Sequence, residues 1–213
     1  MVRITLGGVA VALILLTACS STTVIGSWRN PGFSGAVEKV YIVGIARQEL
    51  NRRIFEDEFG RRLQELGVTG IASYGDLPDP RDADKETIAE RVRQQRADSL
   101  LMVRMVGKRT EEVVNPGWVS YGYGYGYTHP YAPDYTYRQW GSYYDRCCFV
   151  TTYEPPTITQ YEVATIEANL YDASSGELIW GAQLDTVINA DTQALIADFA
   201  DTVIKELIQQ RLL

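Results

Sequence analysis

Three thiols and one imidazole, Cys19, Cys147, Cys148 and His129, make up the chain's stock of soft nucleophiles and metal ligands. A lone histidine next to Pro130 supports neither a Ser-His-Asp triad nor a multi-histidine zinc site. Cys147 and Cys148 are neighbours, and a trans peptide holds their Cα atoms about 3.8 Å apart, whereas common disulfides span about 4.4–6.8 Å. A bridge inside this pair is strained and easily reduced. A vicinal disulfide that pins a loop, bridges to a second chain, and a redox or metal role all stay open, with metal disfavoured by the single histidine. Adjacent carboxylates occur at Asp57-Glu58 and Glu111-Glu112, the raw material of hydrolytic acid–base pairs. On a helix, sequence neighbours point about 100° apart, so Asp57 and Glu58 read as a solvated face. The alternation Tyr121-Gly122-Tyr123-Gly124-Tyr125-Gly126-Tyr127 is not a phosphate-cradling G-x-G-x-x-G between strand and helix. Arg47, Arg52, Arg53, Arg61 and Arg62 could meet peptidoglycan carboxylates or lipid phosphates, although pairing with acids of their own helix is the simpler reading. We expect no enzyme, no cofactor and no metal.

Cys19 stands apart from the other two. It closes Leu16-Thr17-Ala18-Cys19, directly after the apolar run from Ile4 to Leu15, with Arg3 before that run and Ser20-Ser21-Thr22-Thr23 after it. A charged start, an apolar middle and small residues before a cut are the parts of a secretory signal. As a helix, Ile4 to Ala18 would be about 22 Å long, short of the roughly 30 Å hydrocarbon core of a bilayer. The four residues resemble the bacterial lipobox. That resemblance implies lipidation of the Cys19 thiol, cleavage before it and acylation of the new amine; three acyl chains exceed the two signals that stable anchoring needs. The same resemblance reads Ser20, in place of Asp, as sorting to the outer membrane, on its periplasmic face. The competing reading is an ordinary secretory signal with an incidental cysteine. The expected organisation is a signal peptide over residues 1–18, a lipidated cysteine and polar tether over 19–36, and a periplasmic domain over 37–213.

Charge narrows the partners. Without Arg3, 19 basic residues face 27 acidic ones, which disfavours nucleic acid and broad docking on anionic lipid, both of which reward clustered Lys and Arg. A hydrophobic content of 46% is ordinary for a globular protein.

The elements that would position any site follow from periodicity. Glu38 to Ile45 is apolar on both faces, as in a doubly covered strand. A helix follows from about Gln48 to Leu66, with Leu50, Ile54, Phe55, Phe59, Leu63 and Leu66 on one side, Asp57–Arg61 and Glu58–Arg62 paired on the other, and Gly67 ending it. Val68–Ser73 reads as a strand, Lys85–Arg96 as a helix capped by Asp84, and Ser99–Val106 as another buried strand. Period-two alternation on both sides of Ala173-Ser174-Ser175-Gly176 predicts a hairpin over Tyr161–Asp172 and Glu177–Ile188. Asp191 then caps a last helix to about Arg211 with Ile196, Phe199, Val203 and Leu207 inward. The order β-α-β-α-β, insertion, β-β-α predicts a single α/β domain, a mixed sheet with helices packed on it.

The insertion, residues 115–159, changes composition abruptly: eleven of the 14 tyrosines lie between Tyr121 and Tyr161, with Trp118 and Trp140 beside them. A flexible low-complexity loop is the plain expectation. The alternatives are a sticky recognition surface built on Trp118, Tyr121, Tyr123, Tyr125, Tyr127 and Trp140, since tyrosine offers area at little rotamer entropy, or a membrane hairpin, for which the aliphatic lipid-facing residues are lacking.

Ser27-Trp28-Arg29-Asn30-Pro31, the Lys39-to-Ile45 strand, Arg53-Ile54-Phe55-Glu56-Asp57-Glu58 and Leu170-Tyr171-Asp172-Ala173-Ser174-Ser175-Gly176-Glu177-Leu178-Ile179-Trp180 resemble uncharacterised bacterial outer-membrane lipoproteins that share a domain of unknown function. The likeness covers nearly all of the chain after the signal and carries no catalytic residue. The element order is also similar to the TolB N-terminal domain, the penicillin-binding-protein activator lipoprotein B and the curli secretion lipoprotein. These resemblances imply a non-enzymatic, lipid-anchored module that recognises a protein partner in the cell envelope. A glycan- or peptidoglycan-binding module, or a subunit of an oligomeric secretion or assembly complex, are the alternatives.

Overall fold

The computed structural model describes residues 21–123, 149–188 and 191–213. Val40 to Val43 are buried because β2 (Lys39–Ile45) has a covered sheet face on each side: Val40 and Ile42 enter one core, Tyr41 and Val43 another. β2 lies between two parallel neighbours, β3 (Thr69–Ala72) and β4 (Ser99–Asn115), reached through α1 (Glu49–Glu65) and α2 (Lys85–Gln94). Short strands β5 (Trp118–Tyr123) and β6 (Phe149–Glu154) follow, then the long β7 (Thr157–Asp172), β8 (Leu178–Ile188) and α3 (Thr192–Gln209). With β1 (Thr22–Arg29), six strands form one mixed sheet in the order β1-β8-β7-β4-β2-β3, and among the described residues β5 and β6 form a second, two-stranded sheet. The expected mixed α/β class holds.

The chain divides into two compact units. The first combines the described residues up to Lys108 with Val163–Leu213; the second is Arg109–Glu162. In the first, α1 and α3 share one sheet face: Phe55, Phe59 and Leu63 meet Phe199, Val203 and Leu207 over Ile42, Leu101, Leu170, Trp180 and Leu184. The Phe55 and Phe199 rings lie 6.1 Å apart between centroids. On the opposite face α2 places Ile88 and Val92 over Tyr41, Val43, Leu100 and Met102. Asp84 and Asp191 cap α2 and α3 as expected, accepting from the N–H groups of Thr87 at 2.7 Å and Ala194 at 2.9 Å. α1 approaches β3 through two glycines: a Cβ added at Gly70 would come 2.6 Å from the Gly60 Cα.

The three helices among the described residues end alike. After α1, Gly67 takes φ +82° and the N–H groups of Gly67 and Val68 donate back to Gln64 and Leu63, a Schellman closure. α2 and α3 close the same way, on Arg96 at φ 53° and Arg211 at φ 56°. The hairpin turn expected over 173–176 also forms, with Asp172 Oδ1 accepting from the N–H groups of Ser174 and Ser175.

Four expectations are corrected. Within the polar tether expected over 19–36, residues Thr22–Arg29 form a strand: β1 pairs antiparallel with β8 from Thr22↔Thr186 to Arg29↔Trp180. A bulge between Val24 and Gly26 puts Val24 and Ser27 on the same face, opposite Leu184 and Ala182, so the sequence shows no period of two. β4 continues to Asn115, well past Val106. Leu50 and Leu66 are exposed; Arg52 and Glu56 take buried positions in their place on α1. Arg62 pairs with Glu58 as expected, but Arg61 pairs with Glu58 and Glu65, while Asp57 accepts from the Tyr74 hydroxyl.

Candidate functional site

The second unit begins at Arg109, within β4. Pro116-Gly117 separates β4 from β5 and Pro155-Pro156 separates β6 from β7, prolines that cannot donate to a ladder. The two turns lie close together. A Cβ at Gly117 would fall 2.4 Å from the Glu154 carbonyl oxygen and 2.6 Å from the Pro156 nitrogen, so only glycine fits. Between them β5 and β6 form an antiparallel ribbon in register from Trp118↔Glu154 to Tyr123↔Phe149. The tyrosine–glycine alternation therefore starts as a strand and not as the loop expected over 115–159.

Apolar exposure concentrates in this unit. Val113, Val114, Trp118, Val119, Tyr153 and Ile158 are between 42% and 64% exposed. Val119 stands opposite Tyr153 on one ribbon face; on the other, the Trp118 indole N–H donates to Glu154. Polar groups here are tied to one another. Tyr161 donates to Glu111 at 2.8 Å, Gln160 to Glu112 at 2.6 Å, and Arg109 pairs with Glu111. The bond to Glu111 raises the Tyr161 hydroxyl above the ordinary tyrosine range, with desolvation second. Glu111 and Glu112 thus serve as acceptors for neighbouring side chains.

Of the residues singled out from sequence, the structure places Trp118 at the head of β5 and Tyr121 and Tyr123 along it, opposite Thr151 and Phe149. Cys19, Tyr125, Tyr127, His129, Trp140, Cys147 and Cys148 lie outside the described residues. Val113, Val114, Val119, Tyr153 and Ile158 were not singled out; the available signal was the apolar pair Val113-Val114 just before Pro116-Gly117.

A second polar cluster lies within the first unit. Arg52 and Glu56 are at most 1% exposed. The guanidinium donates to Glu56 at 2.9 Å, to the Pro78 and Leu77 carbonyls at 2.7 Å each, and to Ser73 Oγ at 2.9 Å. Glu56 in turn accepts from the N–H groups of Gly44 and Tyr74 and from Ser73 Oγ. Through these bonds the pair acts as an internal tie that holds the 73–78 segment to α1 and β2. Nearby, burial and a 2.5 Å hydrogen bond to Asp76 push the Tyr41 hydroxyl well above its ordinary range. Among the described residues no group of three or more His, Cys, Asp or Glu is placed to hold a metal ion, and no helix is long and apolar enough to cross a membrane.

No protein-family model and no curated protein matches the chain. Among solved structures it is similar to the PelC dodecamer from Paraburkholderia phytofirmans, at 13% identity and TM-score 0.40, covering 83% of this chain and 93% of that one. A single-residue variant of the same dodecamer matches at 12% identity and TM-score 0.42, over 85% and 96%. A PDZ domain protein from Parabacteroides distasonis matches at 9% identity and TM-score 0.27, over 76% of this chain and 29% of that one. At these scores the likenesses carry no functional argument.

Proposed function

We propose that the protein is a non-enzymatic module of the bacterial envelope, lipid-anchored at Cys19 on the periplasmic face of the outer membrane, that contacts a protein partner through the Arg109–Glu162 unit. One observation carries the contact surface: six large apolar side chains, from Val113 to Ile158, stand at least 42% exposed within this one unit. Such a concentration on a chain of net charge −7 has a cost in water that burial against a partner recovers. Trp118 and Tyr153 are residue types that dominate binding energy at protein interfaces.

The anchor bears on how the domain is held. Ser21 is already part of the fold: its carbonyl accepts from Val187 N–H at 3.0 Å and its hydroxyl donates to Asp198 at 2.8 Å. With Cys19 acylated, only Ser20 would separate lipid from domain, a reach of about 7 Å at roughly 3.5 Å per residue.

Site-specific photo-crosslinkers at positions 118 and 153 in intact cells, with a control at the exposed Lys85, test the contact. The expected result is one protein captured at 118 and 153, lost with Val114→Ser together with Val119→Ser, and absent at 85. Equal capture at all three positions rejects the surface. Palmitate labelling of the wild type but not of Cys19→Ser tests the anchor separately.

A further inference from the structure

A second surface lies wholly within the first unit, on the sheet face that carries α2 but beyond the strands α2 covers. Here β1, β8 and β7 form a shallow depression of about 510 Å³ lined by Trp28, Ile25, Gly181, Gln183, Asn169 and Glu167, among others. Trp28 stands directly opposite Gly181 and is half exposed. A Cβ at Gly181 would come 2.7 Å from the Asn169 Oδ1, so the missing side chain lets that amide reach over position 181, across from the indole. The amides of Asn169 and Gln183 make no hydrogen bond among the described residues. Glu167, the one charged group in the lining, is neutralised by Arg104 at 3.0 Å.

We propose that this depression is a subsite for a neutral glycan, with the Trp28 indole stacking on the apolar face of one sugar ring and the Asn169 and Gln183 amides hydrogen-bonding its hydroxyls. The chemistry of the lining selects the ligand. An indole offers a flat apolar platform, and a primary amide is both donor and acceptor, as vicinal hydroxyls require. A lining with no uncompensated charge, in a chain of net charge −7, matches an uncharged ligand better than an anionic peptide or nucleic acid. A second copy of the chain fits poorly. Ile25 and Trp28 are the large exposed apolar side chains here, too few for the roughly 800 Å² per partner of a stable interface. The bulge at Val24/Gly26 also interrupts the β1 edge that such a copy would extend. The site is separate from the proposed protein contact and does not depend on it.

The test is titration calorimetry on the full chain in a sugar-free zwitterionic detergent, with chitotetraose and maltoheptaose as neutral probes and polygalacturonate as the charged control. Saturable binding of a neutral probe is expected, with at least a tenfold loss in Trp28→Ala and no change in Trp118→Ala. Gly181→Ala, which pushes the Asn169 amide aside, should weaken binding threefold or more without lowering the melting temperature. Absence of saturable binding by either neutral probe overturns the proposal, as does unchanged affinity in Trp28→Ala or a loss that follows Trp118 instead. Sedimentation that turns from dimer to monomer in Trp28→Ala also overturns it, because the face would then join two copies.

Discussion

Arg52 Nε lies 2.9 Å from Glu56 Oε1, one turn along α1, and neither side chain reaches solvent. Taking two charges out of water costs several kcal/mol each unless every lone pair and N–H is matched. Here the matching is nearly complete: the partners come from Gly44 on β2, from Ser73 and Tyr74 after β3, and from the carbonyls of Leu77 and Pro78. A pair one turn apart on one helix therefore joins α1 to β2 and to the 73–78 segment.

Removing one partner leaves the other charge buried and alone. Arg52→Met or Glu56→Gln should each cost about 3–5 kcal/mol. Arg52→Met together with Glu56→Leu should cost clearly less than the two single changes added. Urea denaturation of the four proteins checks this, and additive losses would mean that the two side chains do not act as a unit.

Two helices end on arginine where the backbone favours glycine. A left-handed conformation costs an L-residue roughly 1–2 kcal/mol, and α1 avoids that cost with Gly67 at the equivalent position. Arg96→Gly and Arg211→Gly should each raise the urea midpoint, with a net gain of up to about 1 kcal/mol after the extra chain entropy of glycine. A lowered midpoint in both would show that these arginine side chains contribute more than their backbone costs.

Gly60 and Gly70 let α1 and β3 approach closely, and the nearest obstacle to a side chain at position 70 is backbone. Gly70→Ala should destabilise by about 1–3 kcal/mol. Gly75→Ala meets nothing within 4 Å and should change the melting temperature little.

Acid and alkali act on different groups. The Arg81 guanidinium holds Asp79 at about 2, and hydrogen bonds from Thr87 and Ser174 lower Asp84 and Asp172. A carboxylate depressed in the fold stabilises above its unfolded value, near 3.9, and that contribution is lost as pH falls through the folded value. Melting temperature should therefore drop between about pH 4 and 2, and the drop should shrink in Asp84→Asn. Tyr41 is the reverse case. Its raised hydroxyl keeps its proton in the fold after the unfolded chain loses it near pH 10, so stability should fall from there upward. Tyr41→Phe should flatten that alkaline limb while lowering stability at pH 7 through loss of the Asp76 bond.

Much of the first unit was legible because its signals are local. Asp84 and Asp191 announce their helices within four residues, and the Ala173–Gly176 turn is flanked by clean period-two runs. β1 was not legible. Its bulge breaks the period at Ile25, and its Ser, Thr and Gly content is that of a linker; pairing with β8, more than 150 residues away, makes it a strand. Burial of Arg52 was hidden for a related reason, since the atoms that satisfy it belong to residues 73–78 and a helix-local reading finds only Glu49 and Glu56. Of the candidate site, Trp118 and the Tyr121–Tyr123 start of the alternation were visible, while Val119 and Tyr153 gained meaning only when the ribbon register set them face to face.

Placement of β1 at the rim of the sheet also decides how the protein would respond to tension. A pull transmitted through the residues before Ser21 enters at the tip of an outermost strand. Thr22, Thr23 and Val24 would yield first, and the irregularity that follows separates them from the pairs running from Gly26 to Arg29. The fold would thus give way in two stages, with the second stretch of ladder still gripping after the first has peeled.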